Sequence, residues 1–480
     1  MWIRRALCIG WSVASIVAAR ADSYSGTTWV VRFNRPDQTT TLTSIGKDEY
    51  VIREAYLSRI NALQSQDWAC LAAFTFSGNS EGAGAAGPVL LAMSNALSRG
   101  AKLAFVADKG VNITSNFGTG ISLTGLSTRA GTRLELRRAP NDSGIMHDKI
   151  GVFWYRAQTQ AWVLTGSWNF TGGASSQQWN ILAEIQNNTL ATAYSNEMRQ
   201  MLNGHFHASA TKSHVPDGAR FRLPDSDRDG WVRFAPYPDK TYGGSNALTD
   251  IVAAIDAATN TIVFALNKLT RPDVVNALIR ACNRGVKVNG TIPKSDRATA
   301  TDDSYAMYQM LIQPTNYATA NRALMYDAYS STLWTNKDAE QTDLTHTKYM
   351  AIDPYGSRAL VIHGSPNWTD AALVDDSSND ENLLFVPNEK FARAFVAQFN
   401  AMTDGVIPWC QLRSTGSTAT ARCSYWLPYT NQYALIETTN LFNTNSWITV
   451  VTNLKTERGT NSVLIPRNNT RGFYRIQKMN

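Results

Sequence analysis

Two stretches govern the reading of this 480-residue chain: HDKIGVFWYRAQTQAWVLTGSWN at 147–169 and HTKYMAIDPYGSRALVIHGSPN at 346–367. Each opens on His-x-Lys and closes on Gly-Ser-x-Asn, as His147-Asp-Lys149 with Gly166-Ser167-Trp168-Asn169 and His346-Thr-Lys348 with Gly364-Ser365-Pro366-Asn367. Asn follows His by 22 residues in the first and 21 in the second, and a glutamate follows each His by 37 and 35 residues, Glu184 and Glu381. One His-x-Lys is uninformative, because a surface histidine beside a lysine is common. Two copies locked to the same downstream residues, in a chain with 6 histidines, mark a duplicated site.

The duplication extends outward with a period near 200 residues. Trp29-Val-Val-Arg-Phe aligns with Trp231-Val-Arg-Phe-Ala, and each precedes an amphipathic helix, with Ile52, Tyr56, Ile60 and Leu63 on one face of the first and Ile251, Ile255 and Ala258 on one face of the second. Strands follow at 69–76 and 261–266, then helices ending at Gly100 and Gly285, where glycine suits a left-handed C-cap. Further strands are predicted at 103–107 and 288–292, paired strands at 150–155 with 162–165 and at 349–353 with 359–362, and closing strands near 180–185 and 381–386. The last helix of each half presents Met198, Met201 and Leu202 or Phe391, Phe395 and Phe399. This alternation predicts an α/β fold of two pseudo-symmetric lobes, each a central mixed β-sheet flanked by helices, at 22–222 and 223–405. From 406 to 480 short β-like runs between Asn/Thr/Gly turns predict a small β-sandwich-like module.

Alternation along a strand puts His and Lys of each triplet on one face, aimed at one ligand. The Gly-Ser turn brings Asn to the same rim, and a glutamate can fix the tautomer of its imidazole. Two such sets give two imidazoles, two ammonium groups and two amides around one pocket, a receptor for a tetrahedral phosphate diester. These residues resemble the phospholipase D superfamily, whose signature is a duplicated His-x-Lys-x4-Asp with downstream Gly-Ser-x-Asn. The second copy carries the signature Asp as Asp353, whereas the first has Trp154 there; in the family that Asp supports the fold. The resemblance implies cofactor-free, metal-independent cleavage of a phosphodiester through a covalent phosphohistidine. His147 is then the nucleophile and His346 the acid, Lys149, Lys348, Asn169 and Asn367 meet the phosphoryl oxygens, Glu184 and Glu381 orient their histidines, and Ser167 and Ser365 shape the turns. The implied substrate is a glycerophospholipid at a membrane or micelle surface, met by a monomer. A metal-independent endonuclease is the alternative within the same chemistry, and a silent phosphate-binding or scaffold protein the alternative outside it.

Arg4 and Arg5, an apolar run to Ala19 and the small-x-small site Ala19-Arg20-Ala21 predict a signal peptide over residues 1–21 and hence a secreted or periplasmic protein. Loss of Arg4, Arg5 and Arg20 lowers the net charge from +7 to +4, and no Lys/Arg run marks a nucleic-acid stripe. Outside that segment, Cys410 and Cys423 flank a Ser/Thr/Gly-rich stretch and are expected to pair in an oxidising compartment, while Cys70 and Cys282 read as buried thiols. Asp225-Ser-Asp227-Arg-Asp229-Gly230 resembles the start of a calcium loop, but Pro236 stands where the bidentate Glu is needed, so it reads as a solvated turn. His205, His207 and His214 lack a carboxylate frame and read as surface histidines.

Overall fold

The computed structural model describes residues 23–34, 50–78, 85–207, 219–236, 246–328, 344–374 and 379–403, and the strands of the C-terminal segment with Leu454. The leader and His214 lie outside those residues. The chain divides into two compact units, Asp22–Met402 and one that takes in Thr403–Asn480.

The first half of the larger unit runs β1 (Ser23–Ser25), β2 (Trp29–Phe33), α1 (Val51–Asn61), β3 (Trp68–Ala73), α2 (Ala86–Ser98), β4 (Lys102–Ala107), α3 (Leu123–Ala130), β5 (Leu134–Arg138), β6 (Ile145–Met146), β7 (Lys149–Trp154), β8 (Trp162–Gly166), α4 (Gly172–Ser176), β9 (Gln178–Trp179), β10 (Ile181–Gln186) and α5 (Asn188–Leu202). The second half repeats the plan with β11 (Ala219–Phe221), β12 (Gly230–Ala235), α6 (Ala247–Asp256), β13 (Thr261–Leu266), α7 (Pro272–Asn283), β14 (Lys287–Thr291), α8 (Tyr305–Ile312), β15 (Leu324–Met325), β16 (Leu344–Thr345), β17 (Lys348–Ile352), β18 (Leu360–Gly364), α9 (Asp370–Leu373), β19 (Asn379–Val386) and α10 (Glu389–Thr403). The sheets have matching orders, β1-β2-β10-β8-β7-β3-β4-β5 and β11-β12-β19-β18-β17-β13-β14-β15. In each, the β3–β4–β5 or β13–β14–β15 side is parallel and the rest antiparallel, so both sheets are mixed.

Helices cover the sheets, which is why β4 and β13 read as nearly continuous apolar runs. The faces of α1 and α6 pack into separate cores, Ile52, Tyr56 and Ile60 with Phe105 and Trp168 in one lobe, Ile251 and Ile255 with Phe264 and Trp368 in the other. Gly100 and Gly285 have φ +94° and +95° just past α2 and α7, the left-handed geometry expected there. The lobe boundary lies earlier than 222/223: Ala219–Phe221 pairs with Trp231 and its neighbours at the edge of the second sheet.

Trp154 and Asp353 hold equivalent places, opposite Trp68 and next to the Ile262–Ile352 pair. Asp353 accepts from the backbone N–H of Thr259 (2.9 Å), Asn260 (2.7 Å) and Thr261 (3.0 Å), tying the α6–β13 turn to the end of β17. The first lobe moves that carboxylate to the other side of the junction. Asp67, in the α1–β3 turn, accepts from Arg156 N–H at 2.7 Å and Gln64 N–H at 2.8 Å, and Trp154 is released to bond Ser195 Oγ through Nε1 at 3.2 Å.

Two of the three aspartates of the calcium-like stretch are committed to structure, and Asp227 is exposed. Asp225 accepts from Trp29 Nε1 (3.3 Å) in the first lobe and Asn388 Nδ2 (2.9 Å) in the second, so the turn, solvated at Asp227 and around the Asp229–Arg222 pair (2.6 Å), also ties the lobes through Asp225. His207 is buried, contrary to the expected surface position. Cys70 and Cys282 are buried free thiols, and burial pushes the Cys282 thiol up to about 12.

The C-terminal segment forms two three-stranded antiparallel sheets from β20 (Trp409–Ser414), β21 (Thr420–Trp426), β22 (Tyr433–Thr438), β23 (Ile448–Val451), β24 (Asn461–Pro466) and β25 (Phe473–Lys478), in orders β20-β21-β24 and β23-β22-β25. The first two strands were not among the predicted runs. Their register sets Cys410 opposite Tyr425 and Cys423 opposite Leu412; the two cysteine side chains lie outside the described part.

Candidate active site

The lobes exchange short strands in a reciprocal way. β6 pairs in parallel with the start of β19, Ile145 with Asn379 and Met146 with Asp380, and β16 pairs in parallel with β9, Leu344 with Gln178 and Thr345 with Trp179. These bridges end immediately before the two histidines. His147 N–H donates to Asp380 O and His346 N–H to Trp179 O, both at 3.0 Å. Each His-x-Lys triplet is therefore carried by one lobe and seated on the other.

The imidazoles follow the same exchange. His147 Nδ1 lies 2.8 and 2.9 Å from the two oxygens of Glu381, in the opposite lobe. His346 Nδ1 lies 2.9 Å from Asn180 Oδ1 and 3.1 Å from Ser167 O. Asn180 Nδ2 donates to Ala174 O at 2.9 Å, which turns Oδ1 toward the ring. All these partners are acceptors, so Nδ1 carries the proton in both histidines and Nε2 is the lone-pair nitrogen of each neutral ring.

Glu184 does not orient His346 or His147. It lies within β10 opposite Val30 and Leu164, and its buried carboxylate pairs with Arg32 Nε at 2.5 Å and Arg59 Nη2 at 2.7 Å. The place equivalent to Glu381 belongs to Asn180, four residues or about 13 Å earlier along the chain. Ser167 and Ser365 prove the equivalence. Ser365 Oγ donates to Glu381 Oε2 at 2.5 Å and accepts from Asn382 N–H at 3.0 Å, while Ser167 Oγ donates to Asn180 Oδ1 at 2.8 Å and accepts from Ile181 N–H at 3.1 Å. The two motif serines thus lock the group that orients the other lobe's histidine. The preceding glycines are obligatory: a Cβ on Gly166 or Gly364 would lie 2.0 Å from Ile181 O or Asn382 O.

Lys149 and Lys348 are buried, and each donates to the carbonyl of its own histidine, at 2.6 and 2.8 Å, leaving further N–H groups for a ligand. Asn169 and Asn367 sit on loops bridged to the ends of the β3 and β13 chains, Phe170 with Phe76 and Trp368 with Leu269, at the same sheet edge as the lysines. Both amides leave Oδ1 without a hydrogen-bond partner. Phe74, unremarked in the sequence, stands edge-on to His147 at 4.6 Å between centroids, with Lys149 Nζ 5.0 Å over its ring. Its counterpart is Asn267, which donates to Thr345 O at 3.2 Å; an aromatic residue after an apolar strand looks like core, so nothing in sequence marked it.

Burial governs the protonation of this site. It holds His147 down to about 4, with Lys149 and Lys348 adding to the effect and Glu381 opposing it. It holds His346 well below the usual histidine range, with Lys348, Lys149 and His147 adding to the effect. Lys149 is lowered by burial to about 8 and Lys348 falls well below its usual range. Both rings are neutral near pH 7 before any anion enters. Among the described residues no group of His, Cys, Asp and Glu is arranged to hold a metal ion, and no helix is long and apolar enough to cross a membrane.

A family model described as cardiolipin synthase, PLD-like domain, matches residues 56–202 and 251–403, one copy on each lobe. The chain belongs to the phospholipase D-like family. Members of this superfamily are phosphodiester-handling enzymes. Among solved structures, phosphatidylserine synthase from Haemophilus influenzae Rd KW20 is 10% identical over 79% of this chain and 87% of its own, with a TM-score of 0.50, which shows the shared two-lobed fold. Polyphosphate kinase from Porphyromonas gingivalis is 12% identical over 77% of this chain, which spans 50% of that enzyme's length, with a TM-score of 0.48. Yeast tyrosyl-DNA phosphodiesterase is 12% identical over 75% of this chain and 90% of its own, with a TM-score of 0.42. No curated protein sequence matches the chain.

Proposed function

We propose that this protein is a secreted phosphodiesterase of phospholipase D type that hydrolyses glycerophospholipid headgroups through a phosphohistidine on His147. The observation that carries the reading is the unequal pair of Nδ1 partners, the Glu381 carboxylate for His147 and the Asn180 amide for His346. A ring that becomes a phosphorylated imidazolium needs a nearby negative charge; a ring that cycles a proton needs only a fixed tautomer.

The bound phosphodiester brings a negative charge to Lys149, Lys348 and His346, which raises the affinity of His346 Nε2 for a proton. Neutral His147 Nε2 attacks phosphorus in line, and protonated His346 delivers its Nε2 proton to the departing headgroup oxygen as the P–O bond breaks. Lys149 and Lys348, with the amides of Asn169 and Asn367, meet the non-bridging oxygens. His346, now neutral, takes a proton from water as the water oxygen attacks phosphorus, the P–N bond breaks, and His147 returns to its starting form. The lipid assignment is supported by the lipid-enzyme description of the matched family model and by a net charge of only +4 once residues 1–21 are removed.

The test is turnover of phosphatidylcholine by the purified protein in the presence of ethanol. A covalent intermediate open to small acceptors yields phosphatidylethanol beside phosphatidic acid. Lipid left intact while single-stranded DNA is cut would transfer the same histidines to a nuclease. Neither substrate being turned over would favour a phosphate-binding protein.

A further inference from the structure

Among the described residues, the His147 side of the site rests on buried carboxylates, Asp148, Asp380 and Glu381, where the His346 side has buried amides and hydroxyls, Asn34, Asn180 and Ser167. The element that seats His346 is Trp179; its counterpart on the His147 side is Asp380, fully buried. Asp380 takes the His147 amide on its main-chain oxygen at 3.0 Å and is followed directly by Glu381, so one stretch of backbone controls both the position and the ring orientation of His147. Its carboxylate is engaged from outside the two strands. His207 donates its backbone N–H to Asp380 Oδ1 at 2.8 Å, and its ring Nδ1 stands 2.9 Å from Asp380 Oδ2. The His207 ring is buried, its Nε2 is 3.5 Å from the half-exposed Asp142, and its backbone is left-handed at φ +51°. That conformation is uncommon for a non-glycine residue, and here it directs the amide to Asp380 Oδ1 and sets the ring at ion-pair distance from Oδ2, with no hydrogen bond between Nδ1 and Oδ2.

The surroundings explain why Asp380 needs this partner. Asp148, next to His147, is buried among Glu197, Asp380 and Glu381, and burial together with those carboxylates holds its own carboxyl well above the usual range. A carboxylate in such a neighbourhood that lost the imidazole packed at ion-pair distance from its Oδ2 would shift into the space left, carrying the main chain of 380–381 with it. A displacement of a fraction of an ångström there turns His147 Nε2 away from the line of attack.

We propose that His207 is a positioning residue for the reaction: by pairing with Asp380 it fixes the main chain that holds His147 through its amide and through Glu381. This rests on the phosphohistidine reading above.

The test compares kcat and KM on bis(p-nitrophenyl) phosphate and a short-chain phosphatidylcholine for the parent, His207→Gly, His207→Asn and His207→Gln. Glycine suits the left-handed backbone and removes the ring, so kcat should fall about 10- to 100-fold with KM within about twofold, the usual size of an effect passed through an orienting partner. Asparagine tolerates the same backbone and places Nδ2 where Nδ1 lies, so it should recover kcat to within about fivefold of the parent. Glutamine carries its donor at the reach of Nε2 instead and should behave as the glycine variant does. If the glycine protein does not fold, the asparagine–glutamine comparison decides. A glycine variant with parental kcat, or asparagine as impaired as glutamine, would overturn the proposal. His147→Ala is the control on the reading itself: unchanged turnover there brings down both, whereas its loss beside fully active His207 variants removes only this inference.

Discussion

Replacing Glu381 by Gln separates the nucleophile from the acid. Glu381 is fully buried, reaches His147 Nδ1 at 2.8 and 2.9 Å, and is held by Ser365 Oγ at 2.5 Å and Asn379 Nδ2 at 3.0 Å. Glutamine keeps the shape and an oxygen for the Nδ1 proton, so the tautomer survives and only the charge facing the phosphorylated ring is lost. A hydrogen bond to a charged group contributes about 1.5–3 kcal/mol and a neutral one about 1 kcal/mol, so the difference of about 0.5–2 kcal/mol corresponds to a roughly 2- to 30-fold loss of kcat. The pH profile gives a second reading. Glu381 raises the His147 pKa against the effect of burial, so its neutral replacement lets that pKa fall below about 4, and the acid limb, where His147 must lose its proton, moves to lower pH. Asn180→Asp keeps the bonds of this buried side chain to His346 and Ser167 while adding a charge that the acid does not need. Asn180→Ala, which leaves His346 with Ser167 O, should cost less in kcat than Glu381→Gln even though it also releases Ser167 Oγ and Ala174 O. Steady-state kinetics on a chromogenic diester from pH 3 to 9 measures both. Glu381→Gln within twofold of the parent, or Asn180→Ala the more damaging of the two, would overturn the assignment of His147 as nucleophile.

Gly364→Ala should abolish activity and lower the melting temperature, because its Cβ would meet Asn382 O at 2.0 Å and spread β18 from β19; circular dichroism melting checks it. His363 is buried among Phe391 and Phe395 and held by burial to about 3. The unfolded chain binds this proton below about pH 6.5 and the folded one does not, so stability falls as pH drops from about 6.5 toward 3, by up to about 1.4 kcal/mol per pH unit. His363→Leu should flatten that part of a urea-denaturation series. Because His346 is neutral in the empty site, binding of a diester analogue should take up a proton near pH 7 in parent protein and not in His346→Ala, read by calorimetry in buffers of different ionisation enthalpy.

The duplicated lobes were legible because local signals repeat: helix faces, glycine C-caps and apolar strands recur in order, and the structure has these elements. The His, Lys, Asn and Ser positions were legible for the same reason. The orienting residues were only half legible. The predicted closing strands began at Asn180 and Glu381, an alignment that already set the right pair together, but equal spacing from His drew attention to Glu184, whose charge serves Arg32 and Arg59. The exchange of orienting groups between lobes was hidden, since it depends on the parallel bridges 145–146 with 379–380 and 344–345 with 178–179, which join residues more than 160 apart. Trp154 stood in the sequence as a departure from the signature because the compensating Asp67 lies on the facing side of that strand junction, in the α1–β3 turn. His207 carried no motif; its role comes from a left-handed turn that brings it to Asp380.

The most direct measurement is capture of the covalent intermediate. The protein is mixed with short-chain phosphatidylcholine, quenched within milliseconds in alkaline denaturant to preserve a phosphoramidate, digested and examined by mass spectrometry. A phosphatidyl adduct on the peptide containing His147, absent in His147→Ala, is the predicted result. An adduct on His346, or steady lipid turnover with no adduct on either histidine, would contradict it.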